Sequence, residues 1–421
     1  MGMNIAEKIL AGAAGVPQVV PGDIAIVEVG TCVFTDMNFF PAAWREVLKV
    51  ADPGKVVIVL DHFIPANDPQ SAAAHTTARR FAKQFNIARF HDVGHDQGIS
   101  HVVVADEAYA LPGTVLVNAD SHTCGGGALN CAARGVGGPE MLFALTTGKS
   151  WFRVGETIRY ELSGKLRPGV SAKDVFLFIA GTYGAHVNQN VEFGGAGMAN
   201  LSLNARRTLA IMGTELSAEF VIFEPDDLLL SYVRERNSAP FTPQWPDADA
   251  RYKERRPLDL DTIEPLVALP DAVVNSSVPV GEVVGQRIDQ AFIGSCANGT
   301  LDDFAIAAKV LKGRRVAPGV RLIMTPGSQE IYRDAIRAGY IETVMEAGAL
   351  VTNATCGACG GGHLGVLGPN EVCITASTRN FTGRMGDPSA RIYMGSPATV
   401  AASAIAGTIT HPGEFTKEAL A

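Results

Sequence analysis

Four short apolar runs in this chain end alike, and that ending restricts the folds open to it. Residues 55–60 run into Asp61-His62-Phe63, and residues 114–118 run into Ala119-Asp120-Ser121-His122-Thr123. Residues 290–294 lead to Cys296, and residues 350–353 lead to Cys356. A compact β-branched run without polar alternation reads as a strand buried on both faces. Polar residues at the carboxyl end of such strands are where open α/β sheets place their ligands.

After residue 290 the runs alternate with helical stretches at 301–311 and 329–338, with further strands at 320–325 and 371–377. A small-residue helix at 398–406 closes the series. This βαβ order predicts a parallel sheet. The first 15 residues read as a short amphipathic helix with Ile5, Ile9 and Leu10 on one face. Residues 151–220 mix short strands with one strong helical stretch at 171–183. Residues 237–270, rich in Pro, Asp, Arg and Lys, are the best linker candidate. No internal repeat is evident.

At 421 residues the chain is long enough for two or three domains. Its 47% hydrophobic and 19% charged residues argue against disorder. A net charge of -8 gives no electrostatic footprint for nucleic acid or an acidic membrane. The apolar run 56–60 is far too short to span a bilayer, and the N-terminus lacks the pattern of a secretory signal. Seven cysteines, an odd number, speak against a disulfide framework and for a reducing cytoplasm.

Three of those cysteines stand in glycine-rich turns: Ile293-Gly-Ser-Cys296-Ala-Asn-Gly299 and Thr355-Cys356-Gly-Ala-Cys359-Gly-Gly-Gly362. A redox Cys-x-x-Cys pair belongs at a helix start early in a small domain, which does not describe this position. A structural zinc site wants four ligands, and no second knuckle exists. Three thiolates on a cubane cluster with one iron open suits the one-plus-two arrangement. Buried structural thiols describe Cys32, Cys131 and Cys373 better, given their apolar or small neighbours. Nearby, Ser377-Thr-Arg379-Asn-Phe-Thr-Gly-Arg384 sets two arginines around a glycine turn. Guanidinium forks bind carboxylates in two-point fashion, so the expected substrate is a small polycarboxylic acid.

Taken in order, Asp61-His62, Gly98-Ile-Ser-His101, Asp120-Ser-His-Thr123, the Cys296 turn, residues 356–365 and residues 379–388 resemble the aconitase superfamily over nearly the whole chain. The resemblance implies an α/β fold of three parallel-sheet domains around a central cleft, placed at 1–154, 155–275 and 276–421. It implies one [4Fe–4S] cluster per chain, with one open iron, on Cys296, Cys356 and Cys359. The fourth, swivelling domain of the family is expected on a separate small subunit, in a heterodimer or heterotetramer.

By the same resemblance His62, with Asp61, protonates the leaving oxygen. His101 pairs with Asp120 and His122 with Glu215, while Ser121, Arg379, Arg384 and Asn298 contact substrate or cluster-bound groups. Asn298 and Asn380 could equally be Asx-turn formers. The remaining histidines, His75 among them, gain no specific role. The expected reaction is a hydro-lyase isomerisation of 3-isopropylmalate, in leucine biosynthesis, with homoaconitate, (R)-2-methylmalate or 2,3-dimethylmalate as alternatives. A cluster-free RNA-binding regulator on the same scaffold is the non-enzymatic alternative, against which the acidic charge and the retained histidines argue. Departures from the family pattern are Thr35-Asp36 for a His-Asp pair, Ala297, Thr300, Ala358, Gly360 and Thr378. They bear on the substrate more than on the reaction class.

Overall fold

Successive side chains leave a strand on opposite faces, so a strand with a core on each side can be apolar throughout. In the computed structural model, which describes residues 2–416, β1 is Ile24–Glu28, β2 Thr31–Thr35, β3 Val56–Val59, β4 Arg89–His91, β5 Val115–Asn118 and β6 Ala132–Gly135. Strands β2 to β6 form a sheet in the order β4-β3-β2-β5-β6, with every pairing parallel. Cys32, Phe34, Val56, Ile58, Val115 and Val117 feed the core on one face. Val33, Val57, Val59 and Leu116 feed the core on the other. The unbroken apolar run at 56–60 is explained by that double covering.

Strand β7, Lys149–Arg153, pairs antiparallel with β1. A four-stranded sheet, in the order β10-β9-β8-β11, is built from β8 (Glu156–Ser163), β9 (Gln189–Gly194), β10 (Val221–Phe223) and β11 (Glu254–Asp259). The last sheet comprises β12 (Leu266–Ala268), β13 (Ser277–Pro279), β14 (Gln290–Ile293), β15 (Arg321–Met324), β16 (Leu350–Val351), β17 (Val372–Thr375) and β18 (Arg391–Gly395). Its order is β13-β12-β18-β17-β14-β15-β16. Strands β14 to β18 pair in parallel, as the βαβ alternation predicts. Strand β12 joins antiparallel to β13 and β18.

Two compact units result, each interrupted in sequence. One holds the chain up to Val93, Ser100–Ser163 and His186–Leu258; the other holds Gly94–Ile99, Gly164–Ala185 and the chain from Asp259. The boundary at residues 258 and 259 falls inside the 237–270 stretch, which itself carries β11 and β12.

The helices expected at 301–311, 329–338, 171–183 and 398–406 are Leu301–Leu311, Gln329–Arg337, Ala172–Tyr183 and Pro397–Ala406. The N-terminal helix is Ile5–Ala14, closed by an Asn4–Glu7 capping box, and buries Ile5, Ile9 and Leu10. Among the described residues, no helix is long and apolar enough to cross a membrane.

Strand order reverses direction at one point in each large parallel sheet, between β2 and β5 and between β14 and β17. Crevices at the carboxyl ends of strands open at such points. Asp36 follows β2, Asp61 and His62 follow β3, and Asp120 to His122 follow β5. In the second sheet Cys296 follows β14, Cys356 follows β16, and the arginine turn follows β17.

Candidate active site and cysteine centre

His62 is held at both ends of its ring. Its Nδ1 lies 2.6 Å from Asp61 Oδ1 and 3.1 Å from Asp36 Oδ1. Its Nε2 lies 3.2 Å from Asp120 Oδ2. Asp36 also accepts the backbone N–H of His62, at 3.1 Å, and of Phe63, at 2.8 Å. Burial pushes Asp36 toward its neutral form, but hydrogen bonds from His62, His75 and Phe63 outweigh it and hold the carboxyl below the usual range. Asp61 moves the other way, raised chiefly by burial and further by the nearby Asp36 charge. Its Oδ2 accepts the Ser100 N–H at 2.8 Å, which anchors the start of the helix Ser100–Asp106.

Asp120 is a hub for imidazoles. His101 Nε2 lies 2.8 Å from its Oδ1, and His122 Nδ1 lies 3.9 Å from the same atom. Burial opposes ionisation of Asp120, yet His101 and His62 hold its carboxyl well below the ordinary value. The other nitrogen of His122 lies 2.9 Å from Glu215 Oε1. Donor atoms of His101, Asp120 and His122 all fall within 4.8 Å of one another. Such a set can hold a proton on one ring and orient the next. Ser121 is exposed beside it at the start of the turn, its carbonyl accepting from the Thr214 hydroxyl.

Two residues of this set stand outside the motifs that the sequence offers for chemistry. Asp36 is fully buried, and His75, on the helix Pro69–Gln84, lies 3.6 Å from its Oδ2. Asp36 stands at the end of a strand, like Asp61 and Asp120, and that position was the available signal. His75 gave none, because only tertiary packing brings it to the sheet.

In the second unit, the short helix Ser295–Asn298 packs against the turn Gly357–Gly360, which brings the Cys296 segment to Cys359. The backbone is specialised there. Ser295 has φ +71°, rare for a residue with a side chain, and Gly357 has φ +62°. A Cβ on Gly357 would meet Thr325 Oγ1 at 2.7 Å.

Cys359 Sγ has Thr378 Oγ1 at 3.5 Å and Arg384 Nη2 at 3.6 Å. Burial raises this thiol, but the Arg384 charge and hydrogen bonds from Thr378, Arg384 and Ser295 bring it down to about 7. Burial pushes Cys131 up to about 12 and Cys124 up to about 11, and raises Cys32 and Cys373 further. All seven cysteines are free thiols. Cys359 is thus the thiol beside a positive charge, and Cys296 and Cys356 stand in glycine-rich turns like its own.

Arg384 thus reaches a cysteine sulfur, while Arg379 is half-buried at the other end of its turn. The two asparagines spend their amide donors on the protein. Asn298 Nδ2 donates to Asp303 Oδ1 at 3.0 Å. Asn380 Nδ2 donates to the carbonyls of Leu269, at 2.6 Å, and Ala272, at 2.9 Å.

Carboxylate-held imidazoles thus stand at one switch point, and a thiol beside an arginine stands at the other. The aconitase family (aconitate hydratase) matches residues 42–286 and 274–407, and the chain belongs to this family of hydro-lyases. Particular relatives are close. The chain is 53% identical to the 3-isopropylmalate dehydratase large subunit of Mycolicibacterium smegmatis, over 97% of each chain. It is 43% identical to the subunit of the same name from Caldanaerobacter subterraneus subsp. tengcongensis, over 98% of this chain and 100% of that one. A probable 3-isopropylmalate dehydratase large subunit from Methanothermobacter thermautotrophicus is 42% identical, over 99% and 100%.

Proposed function

We propose that this chain is the large subunit of a two-subunit, cytoplasmic 3-isopropylmalate dehydratase that carries a [4Fe–4S] cluster on Cys296, Cys356 and Cys359. The observation that carries the reading is the 53% identity over 97% of both chains with a relative of that name. The thiol set supports the cofactor, because Cys359 is the buried thiol brought near neutrality while four others are pushed up. The same reading divides the chain into three domains at 1–154, 155–275 and 276–421, and a small subunit supplies the rest of the substrate's surroundings.

When bound, such a cluster supplies a Lewis acid for hydroxyl and carboxylate oxygens. The chain's own groups handle the protons. His62, its Nδ1 fixed on Asp61 and Asp36, gives a proton from Nε2 to the departing hydroxyl oxygen, so that water leaves. A group of the small subunit takes the carbon-bound proton, and an unsaturated dicarboxylic acid forms. Return of water to the neighbouring carbon completes the isomerisation. Asp120 orients His101 and His62, and Glu215 orients His122. Arg379 and Arg384 hold carboxylates through their guanidinium forks. Ser121 and Asn298 line the substrate's place.

Co-expression with the small subunit under anaerobic conditions, followed by absorbance of the alkene product, tests the reading. Turnover of 3-isopropylmalate is expected. Turnover confined to homoaconitate, (R)-2-methylmalate or 2,3-dimethylmalate would reassign the substrate. Full activity from the large chain alone would overturn the two-subunit assembly.

A further inference from the structure

Lys173 is fully buried in the first turn of the helix Ala172–Tyr183. Lysines are almost never fully buried without a partner, and a cation at the start of a helix opposes the helix dipole. The position is therefore unfavourable on local grounds and needs a tertiary reason. The segment that carries it, Gly164–Ala185, belongs to the cysteine-bearing unit, although the chain on either side of it does not.

The partner is a main-chain oxygen. Lys173 Nζ donates to the Ser377 carbonyl at 2.9 Å. Ser377 is also held from inside its turn, its N–H donating to Thr375 Oγ1 at 3.0 Å. The next residue is Thr378, whose hydroxyl meets the Cys359 sulfur at 3.5 Å. Asn380 fastens the far end of the turn to the carbonyls of Leu269 and Ala272. One ammonium and one amide thus fix a four-residue turn that carries Thr378 and Arg379.

We propose that Lys173 is a positioning residue for the cysteine centre, fixing the Ser377 carbonyl so that the Thr378 hydroxyl stays on the Cys359 sulfur. The positioning rests on the geometry of this unit. Its consequence for a bound cluster rests on the function proposed above, since hydrogen bonds to sulfur tune cluster potentials.

Amide hydrogen exchange on the cluster-free full chain tests the positioning. Lys173→Met should speed exchange across residues 377–381 while the strands β14 and β17 keep their protection. Lys173→Gln, which retains a donor, is read alongside it should the methionine variant not fold. Unchanged exchange at the turn overturns the proposal. So does loss of protection across the whole chain in both variants, which would make Lys173 an ordinary core residue. In the reconstituted protein, Lys173→Met should shift the cluster's reduction potential in the same direction as Thr378→Val, and an unmoved potential overturns the link to the cluster. Failure of the wild-type chain to take up any cluster would sink the proposed function, while the exchange result would still decide the role of Lys173.

Discussion

Asp36 holds His62 twice, accepting its backbone N–H at 3.1 Å and facing its ring Nδ1 at 3.1 Å. The carboxylate therefore sets both where the 61–63 backbone lies and which way the imidazole points. Asp36→Asn keeps the shape but not the charge. Turnover should fall on the order of 10²-fold with little change in KM, as expected when a proton donor is misaimed. His62→Asn should fall about 10²–10⁴-fold, the usual range for losing a general acid. Steady-state kinetics on the two-subunit enzyme measure both. An Asp36→Asn enzyme with wild-type kcat would contradict the role.

Cys359 in the cluster-free chain should react with a small alkylating reagent along a pH curve centred near 7, the value to which its neighbours bring it. Arg384 is the largest of the lowering influences, so Arg384→Gln should move that midpoint upward. Cys373, raised by burial, should stay unreactive through the same range. Mass spectrometry of the labelled peptides reads all three.

Gly357→Ala should damage the cysteine turn without touching a sulfur. A side chain at φ +62° costs roughly 1–2 kcal/mol. The added methyl must also push aside Thr325 Oγ1, 2.7 Å away. Expected results are a lower melting temperature and faster loss of bound iron, followed by calorimetry and iron assay.

Two buried carboxyls give stability an unusual slope with pH. Burial raises Asp174 to about 6 and Asp303 to about 6, outweighing the hydrogen bonds each accepts. In the folded chain each keeps its proton up to that pH, whereas in the unfolded chain it loses it near about 4. Folding therefore takes up protons between those values. Their contribution is fully present below the unfolded pKa and is lost as pH rises through about 6. Asp174→Asn should flatten the fall in stability between about pH 4 and about pH 7, measured by urea unfolding of the cluster-free chain. An unchanged slope would contradict the assignment.

What could be read in the sequence was local, and what escaped it was long-range. Residues 56–60 announce a doubly covered strand because burial on both faces leaves its mark on every side chain. Cys296 and Cys356 announce themselves through the glycines around them. Asp36 reaches His62 across 26 positions and Glu215 reaches His122 across 93, and no periodicity encodes either distance. Glu215 was accessible only through family resemblance. Lys173 gave no sign at all, because the stretch at 171–183 reads only as a helix and the oxygen that Lys173 meets is a carbonyl 204 positions away. Strand β18 and the helix Tyr340–Glu346 have no counterpart in the sequence reading. Strand β18 owes its place to a parallel neighbour, β17, and an antiparallel one, β12.

The central claim is that three of the seven cysteines hold a cluster. Anaerobic reconstitution of the wild-type chain and of single Cys→Ser variants with iron and sulfide, read by visible absorbance and iron content, tests it most directly. The cluster should assemble in the wild type and in Cys373→Ser, and should be lost or unstable in Cys296→Ser, Cys356→Ser and Cys359→Ser. A full cluster in Cys359→Ser, or none in the wild type, would contradict the account.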